Sequence, residues 1–256
     1  MFDGTGSVVP ALAVEAVTKR FQGVVALSDV SIHVPAGTIH GIVGPNGAGK
    51  TTLLNVITGY VRPDRGRVLL GGADVTGKSP SRRVPLGLVR TFQNIRLFGG
   101  LSVMQNVLIG QHHRARSGFA SLWPLPTSRD RELAAEATAC IARFGLAEYT
   151  GRLAGELPYG LQKQLEMARA MMAGPTVLLL DEPAAGMTEF DRAAFVPYLH
   201  QLRDEGMTIV VVEHDINLIT KSCDTVTVLN FGRLLAEGPP SEALSSDEVR
   251  TAYVGV

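Results

Sequence analysis

Gly44-Pro45-Asn46-Gly47-Ala48-Gly49-Lys50-Thr51 stands between the apolar run Thr38-Ile39-His40-Gly41-Ile42-Val43 and the segment Thr52-Leu53-Leu54-Asn55-Val56-Ile57-Thr58. The run ahead is short and β-branched, which predicts a buried strand over residues 38–43. Behind the loop, Leu53, Leu54, Val56 and Ile57 fall at helical spacing, which predicts a helix over residues 50–58. Glycines let the connecting backbone curve tightly enough for successive N–H groups to point inward at an anion. The helix N-terminus adds its positive end. Lys50 supplies a point charge and Thr51 a hydroxyl that suits magnesium. Chance matches to Gly-x4-Gly-Lys-Ser/Thr arise in about one in a hundred chains of this length, and few of those lie between a strand and a helix. The segment therefore reads as a phosphate cradle in an α/β fold.

Further along, Val177-Leu178-Leu179-Leu180-Asp181-Glu182 is a continuous apolar run closed by two acids. Such runs are typical of parallel strands buried on both faces, and ligands sit at the carboxyl ends of those strands. Asp181 suits magnesium, through water, and Glu182 suits a base that accepts a proton from, or aligns, an attacking water. His214 ends a second such run, Ile209-Val210-Val211-Val212-Glu213-His214-Asp215. It reads either as a site residue or as the cap of the helix that follows. Gln93, in Val89-Arg90-Thr91-Phe92-Gln93-Asn94, lies where a strand runs into a helical region and reads as a site residue or a surface glutamine. Phe21 offers the flat apolar platform a purine needs, or is an ordinary core aromatic. No Asn-Lys-x-Asp segment is present to read guanine, which favours ATP over GTP.

A second phosphate-seeking feature is Leu157-Pro158-Tyr159-Gly160-Leu161-Gln162-Lys163-Gln164-Leu165-Glu166-Met167-Ala168-Arg169. A Gly-bearing turn feeds directly into a helix whose first N–H groups and dipole favour an anion. The phosphate cradle already has a helix of its own, so this second N-terminus is available to another molecule's nucleotide.

Composition narrows the classes. The 24 basic and 24 acidic residues leave no net charge, which speaks against a nucleic-acid footprint and against a polybasic membrane tail. Cys140 and Cys223 lack metal or redox spacing and are expected to be reduced structural thiols of a cytosolic protein. Residues 1–10 have no basic region ahead of an apolar stretch, so no signal peptide is expected. No apolar run approaches the ~18–20 residues of a membrane span. A soluble chain is expected, with any membrane role exercised through a partner.

Strands are expected over residues 12–17, 30–34, 38–43 and 67–70. Residues 94–154 turn helical, with a polar break at 117–128 around Trp123-Pro124-Leu125-Pro126 and a helix over 129–144. Alternation then resumes, with strands over 177–180, 208–212, 226–230 and 233–236 and a helix over 190–203. The expected organisation is a single domain, residues 1–256. An α/β core and β part occupies 11–93 and 172–256, and an α-helical subdomain occupies 94–171.

From about residue 12 to residue 255 the chain resembles the nucleotide-binding subunits of ATP-binding-cassette (ABC) transporters. More narrowly, it is similar to those that drive uptake of branched-chain amino acids and related amides or urea. The likeness rests on the cradle, the 157–169 signature, Val89-Arg90-Thr91-Phe92-Gln93 with Asn94-Ile95-Arg96-Leu97-Phe98, the insert with its Pro-rich break, Asp181-Glu182-Pro183-Ala184-Ala185-Gly186, Val212-Glu213-His214-Asp215 and the closing Ala252-Tyr253-Val254-Gly255. The resemblance implies an α/β P-loop NTPase fold of the ABC ATPase type. Its mixed central sheet is flanked by helices and joined by an N-terminal antiparallel β part and an inserted helical subdomain. It implies ATP and Mg2+ as ligands. Phe21 would stack on adenine, and Gly44, Pro45, Asn46, Gly47, Ala48, Gly49, Lys50, Thr51 and Thr52 would hold the phosphates. Thr51, Gln93 and Asp181 would serve the metal, and Glu182, His214 and Lys50 the hydrolysis. Pro158, Tyr159, Gly160, Leu161 and Gln162 would close over ATP held by a second, identical or similar, subunit. The implied partners are that subunit, integral membrane permease subunits and, indirectly, an extracytoplasmic solute-binding protein, with no nucleic acid. The implied location is the cytoplasmic face of the inner or plasma membrane.

Two positions depart from the family pattern. Pro158 and Tyr159 stand where Ser and Gly are usual, so a lid formed here would grip through backbone donors, and Thr188 replaces the usual Asp. A lipid or lipopolysaccharide exporter subunit is a close alternative, against which the extended segment at 111–131 favours the amino acid type. A cassette ATPase acting on translation or DNA is disfavoured by the single cassette, the lack of a coiled-coil insert and the lack of a basic face.

Overall fold

A computed structural model describes residues 9–93, 95–114 and 128–254. Asn94, the Pro-rich break around Trp123 and the closing Gly255 lie outside the described residues. In chain order the elements are β1 (Leu12–Phe21), β2 (Val24–Val34), β3 (Ile39–Val43), α1 (Lys50–Thr58), β4 (Arg65–Leu70), β5 (Ala73–Asp74), α2 (Pro80–Arg83), β6 (Leu88–Arg90), α3 (Val103–Gly110), α4 (Ser128–Arg143), α5 (Tyr159–Met172), β7 (Val177–Asp181), α6 (Glu189–Asp204), β8 (Thr208–Val212), α7 (Ile216–Ser222), β9 (Thr225–Asn230), β10 (Arg233–Gly238), α8 (Pro240–Ala243) and α9 (Asp247–Val254). The chain separates into two compact units, one made of the residues through Arg90 and from Thr176 onward, the other of Thr91–Pro175.

The first unit carries two sheets. One is antiparallel, in the order β2-β1-β4-β5. The other runs β10-β9-β3-β8-β7-β6, with β6, β7, β8, β3 and β9 parallel and β10 antiparallel at the edge. The central strands β3 and β8 are buried along their whole length, which is why they read as unbroken apolar runs. Helix α1 inserts Leu53, Leu54, Val56 and Ile57 into a core shared with Ile42, Leu179 and Val210 of one sheet and Leu27, Val30 and Val68 of the other. Each such side chain contributes roughly 1.5–3 kcal/mol by leaving water.

Both ends of α1 are controlled by backbone geometry and charge. Gly49 caps its start in the left-handed region, φ 102°, and Gly59 ends it at φ 82°. The C-terminal carbonyls are met by Arg83, which is almost fully buried. Its guanidinium donates to Val56 O at 2.9 Å, Ile57 O at 2.5 Å, Lys78 O at 2.9 Å and Thr76 O at 3.0 Å. A cation at a helix C-terminus complements the dipole, and the four acceptors offset its desolvation.

The second unit is helical. α3 starts with a reciprocal capping box between Ser102 and Gln105. It runs so close to α5 that a Cβ on Gly110 would sit 2.2 Å from Arg169 O. Asn106, fully buried on α3, donates to the carbonyls of Phe98, Leu101 and Ser102 and accepts from Phe98 N at 3.0 Å. It thereby fixes the segment that enters the helices. The thiols lie one in each unit. Burial pushes Cys140 up to about 11 and Cys223 up to about 12, so both stay protonated at neutral pH and are poor nucleophiles.

His40 lies in β3 with no exposed surface, its Nε2 2.8 Å from Thr227 Oγ1. Burial lowers its pKa from 6.5 to about 4. Its folded-state pKa is below the unfolded value, so the unfolded chain takes up the proton first as pH falls, and stability is lost between about 6.5 and 4. A His40→Asn variant is expected to lose less stability over that window, by up to ~3 kcal/mol, in denaturant titrations at stepped pH. Parallel pH profiles for the two chains would contradict this.

Candidate active site

The carboxyl ends of β3, β7 and β8 meet because of their register. Val212 pairs with Ile42 on one side and with Asp181 on the other. The chain leaves those strands as the 44–49 loop, as Glu182 and as Glu213-His214, so three chemically distinct segments emerge side by side.

The first is the phosphate cradle. A Cβ on Gly44 would lie 2.2 Å from Leu229 O, and one on Gly49 2.7 Å from Ala26 O, so neither position accepts a side chain. The loop is closed by Ala48 N donating to Pro45 O at 3.1 Å, and no side chain caps the α1 N-terminus. Lys50 folds back over the loop, its Nζ 2.5 Å from Gly44 O and 3.0 Å from Pro45 O. Burial lowers the Lys50 pKa, and the charges of Glu182 and Asp181 act against that shift. These two acids are therefore close enough to be felt by the ammonium. Asn46, Gly47 and Thr51 are exposed, and Thr52 is half-buried.

The second segment begins at Asp181, which forms a part-buried ion pair with Arg90 at 2.7 Å. Arg90 also donates to Asn55 Oδ1 at 2.8 Å, joining β6, β7 and α1. Glu182 follows with φ 46°, a left-handed conformation rare for a residue with a side chain. Glu182 N donating to Val212 O at 2.9 Å and Ala185 N to Glu182 O at 3.1 Å hold it there. Such a backbone costs on the order of 1–3 kcal/mol and is characteristic of functional sites.

The third segment is Glu213-His214. The His214 side chain is 68 % exposed, whereas Glu213 is buried. Asp215, not His214, caps α7, accepting from Asn217 N and Leu218 N. The capping alternative for His214 is thereby corrected. The shorter aspartate reaches the second and third helical amides, as caps do.

Phe21 closes a two-residue hairpin, paired with Val24 across Gln22 and Gly23. Phe21 is 45 % exposed, with Lys19 Nζ 5.3 Å from its ring centroid. Gln93 is exposed and belongs to the second unit, as do Pro158, Tyr159, Gly160, Leu161 and Gln162. There Pro158 is the N-cap of α5, one residue before the helix, and Gln162 N makes the first helical bond, to Pro158 O at 3.0 Å. The amides of Gly160 and Leu161 thus precede the hydrogen-bonded ladder. No Cβ contact exists within 4 Å of Gly160, leaving open space above that turn. Thr188 caps α6 in a capping box with Asp191, which gives that departure a structural use.

Three contributors escaped the sequence reading. Arg90 and Glu213 have partners about 91 and 29 positions away, beyond the reach of local pattern. Tyr253 on α9 lies near the Gly44 backbone, and burial raises its hydroxyl pKa. The Tyr253 segment was legible only as part of a family ending.

A family profile described as ABC transporter matches residues 27–185. The chain is 37% identical over 250 residues to the high-affinity branched-chain amino acid transport ATP-binding protein BraF of Pseudomonas aeruginosa, covering 96% of this chain and 98% of that one. This chain belongs to the ABC transporter family. It is 36% identical over 250 residues, with the same coverage, to the corresponding protein LivG of Escherichia coli K12. Among solved structures, the ADP conformation of MJ1267, an ATP-binding cassette of an ABC transporter, matches with a TM-score of 0.84 and 33% identity over 96% of this chain and 99% of that one. The chain is thus an ABC ATPase cassette, an enzyme that binds and hydrolyses ATP, in an α/β fold with a mixed sheet and an added antiparallel sheet.

Replacing Arg90 by alanine leaves the part-buried Asp181 carboxylate without its cation, a loss expected to lie between the ~1 kcal/mol of surface pairs and the roughly 3–5 kcal/mol of fully buried ones. Urea titration of Arg90→Ala should show that loss, with partial recovery in Arg90→Lys. A loss below ~1 kcal/mol, the range of surface pairs, would contradict the reading of Arg90 as the support of Asp181.

Proposed function

We propose that this chain is the ATP-hydrolysing subunit of an importer for branched-chain or related amino acids, acting as one of two cassettes that close around shared ATP. The observation that carries the reading is the convergence of Lys50, Asp181, Glu182 and His214 at the ends of β3, β7 and β8. The substrate class follows the names of the relatives above. It calls for integral membrane permease subunits and an extracytoplasmic solute-binding protein as partners. Among the described residues no helix is long and apolar enough to cross a membrane, which is compatible with docking on permeases at the cytoplasmic face.

In the proposed mechanism, Phe21 stacks on adenine and the loop amides from Gly44 to Thr52 hold the phosphates, with Lys50 swinging from the Gly44 and Pro45 carbonyls onto the β- and γ-phosphates. Glu182 aligns the attacking water and accepts its proton. His214, exposed beside Glu182, contacts the γ-phosphate. Among the described residues no three His, Cys, Asp or Glu side chains cluster as a metal site. The Thr51 hydroxyl and the Asp181 carboxylate, both of the first unit, are hard oxygen donors of the kind that would hold Mg2+. Held by those two residues, Mg2+ would supply neutralisation of the charge that develops on the phosphate oxygens. The first-turn amides of the partner subunit's α5, with Pro158 offering neither hydroxyl nor N–H, close the far side of the nucleotide. Hydrolysis removes the bridging charge and releases the pair, and the helical unit passes the motion to the permease.

Glu182→Gln keeps the shape of the site but removes its base. Turnover is expected to drop roughly 10²–10⁴-fold, and size-exclusion with light scattering should show a dimer under saturating ATP and magnesium. A monomer under those conditions would contradict the shared site, and parental turnover would remove Glu182 from the mechanism.

A further inference from the structure

Glu213 is a charged side chain with almost no exposed surface, and the mechanism above gives it nothing to do. A carboxylate taken from water is costly unless its oxygens are hydrogen-bonded. Here each oxygen is met by a different loop. Oε1 accepts from Ala184 N at 2.8 Å, two residues beyond Glu182. Oε2 accepts from His214 N at 3.1 Å and lies 3.6 Å from His214 Nδ1. The main chain of Glu213 is tied in turn to the strand that launches the phosphate cradle, its N–H donating to Ile42 O at 3.4 Å.

We propose that Glu213 is the positioning residue that locks the Glu182 loop and His214 to each other, so that the water-aligning carboxylate and the γ-phosphate contact keep one spacing through the cycle. This rests on the roles given above to Glu182 and His214. Two features of the geometry carry it. Glu182 is held in a left-handed backbone, which persists only if the residues after it are anchored. Ala184, the next anchored amide, is held by Glu213. The exposed His214 ring has Glu213 Oε2 3.6 Å from its Nδ1, the same oxygen that accepts from His214 N. Lys50 and the loop amides hold nucleotide from another strand, so turnover and binding should separate when Glu213 is changed.

Chemistry also ranks the substitutions. Glutamine can accept from Ala184 N, but its amide nitrogen then meets His214 N–H, donor against donor. Alanine removes both anchors. Steady-state ATPase kinetics and ATP affinity, the latter by a fluorescent nucleotide, should be measured for Glu213→Ala and Glu213→Gln beside Glu182→Gln and His214→Ala. Glu213→Ala is expected to lose on the order of 10–100-fold in kcat, the scale of an ångström-level misplacement, with ATP affinity within about twofold. Glu213→Gln should fall between it and the parent. In the unsubstituted chain, hydrogen exchange should find the Ala184 and His214 amides protected, a measurement that stands even where Glu213→Ala fails to fold. Parental kcat in Glu213→Ala, equal losses of kcat and affinity, or unprotected Ala184 and His214 amides would overturn the role of Glu213. Parental turnover in both Glu182→Gln and His214→Ala would overturn the underlying reading instead.

Discussion

Everything at the site depends on one backbone register: Val212 stands opposite Ile42 and opposite Asp181 in a parallel sheet. Parallel strands point their carboxyl ends the same way, so the loops that follow three of them must emerge at one edge. A slip of one residue in β8 would move the Glu213 carboxylate to the other face of the sheet. Ala184 N would then lose its acceptor. The continuous burial of β3 and β8 makes such a slip expensive, because every apolar side chain already has a packed place. The site is thereby tied to strands that are buried along their whole length.

Around that edge the protein accepts local cost. Glu182 has a left-handed backbone, Asp181 and Arg90 form an ion pair with little exposed surface, and Glu213 is a buried carboxylate held by amides. None of these is an efficient way to stabilise a domain, since apolar residues of similar volume often do as well or better. Their common property is place: each fixes a charged side chain or the backbone at the carboxyl edge of the parallel strands. The core around α1, closed at one end by Gly49 and at the other by Arg83, supplies the stability that offsets them.

Much of this was legible in the residues. β8 and α1 run over the expected 208–212 and 50–58, because an unbroken apolar run and a Gly-to-Gly helix leave little room for another boundary. The antiparallel strands were harder. β1 and β2 extend to Phe21 and from Val24, well past the expected 12–17 and 30–34, because bulges and half-exposed polar residues break the alternation. β6 has three residues and α7 seven, too short for a periodic signal. The cradle, the Asp181-Glu182 pair and His214 stand out in the sequence because each follows an unbroken apolar run within a short segment. Arg83, Arg90 and Glu213 could not, because their meaning lies in partners distant along the chain.

The central claim is that ATP is gripped by the cradle of one chain and the α5 N-terminus of another. Two inactive variants test it together: Lys50→Ala, which removes the cradle's cation, and Gly160→Asp, which puts a carboxylate in the open space at the α5 N-terminus. In a mixed dimer of the two, one site carries both lesions and the other carries neither. Random pairing makes half of the dimers mixed, each with one intact site, so mixing equal amounts should restore about a quarter of parental ATPase activity. If each chain instead closes over its own nucleotide, mixing will restore nothing, and the shared site is wrong.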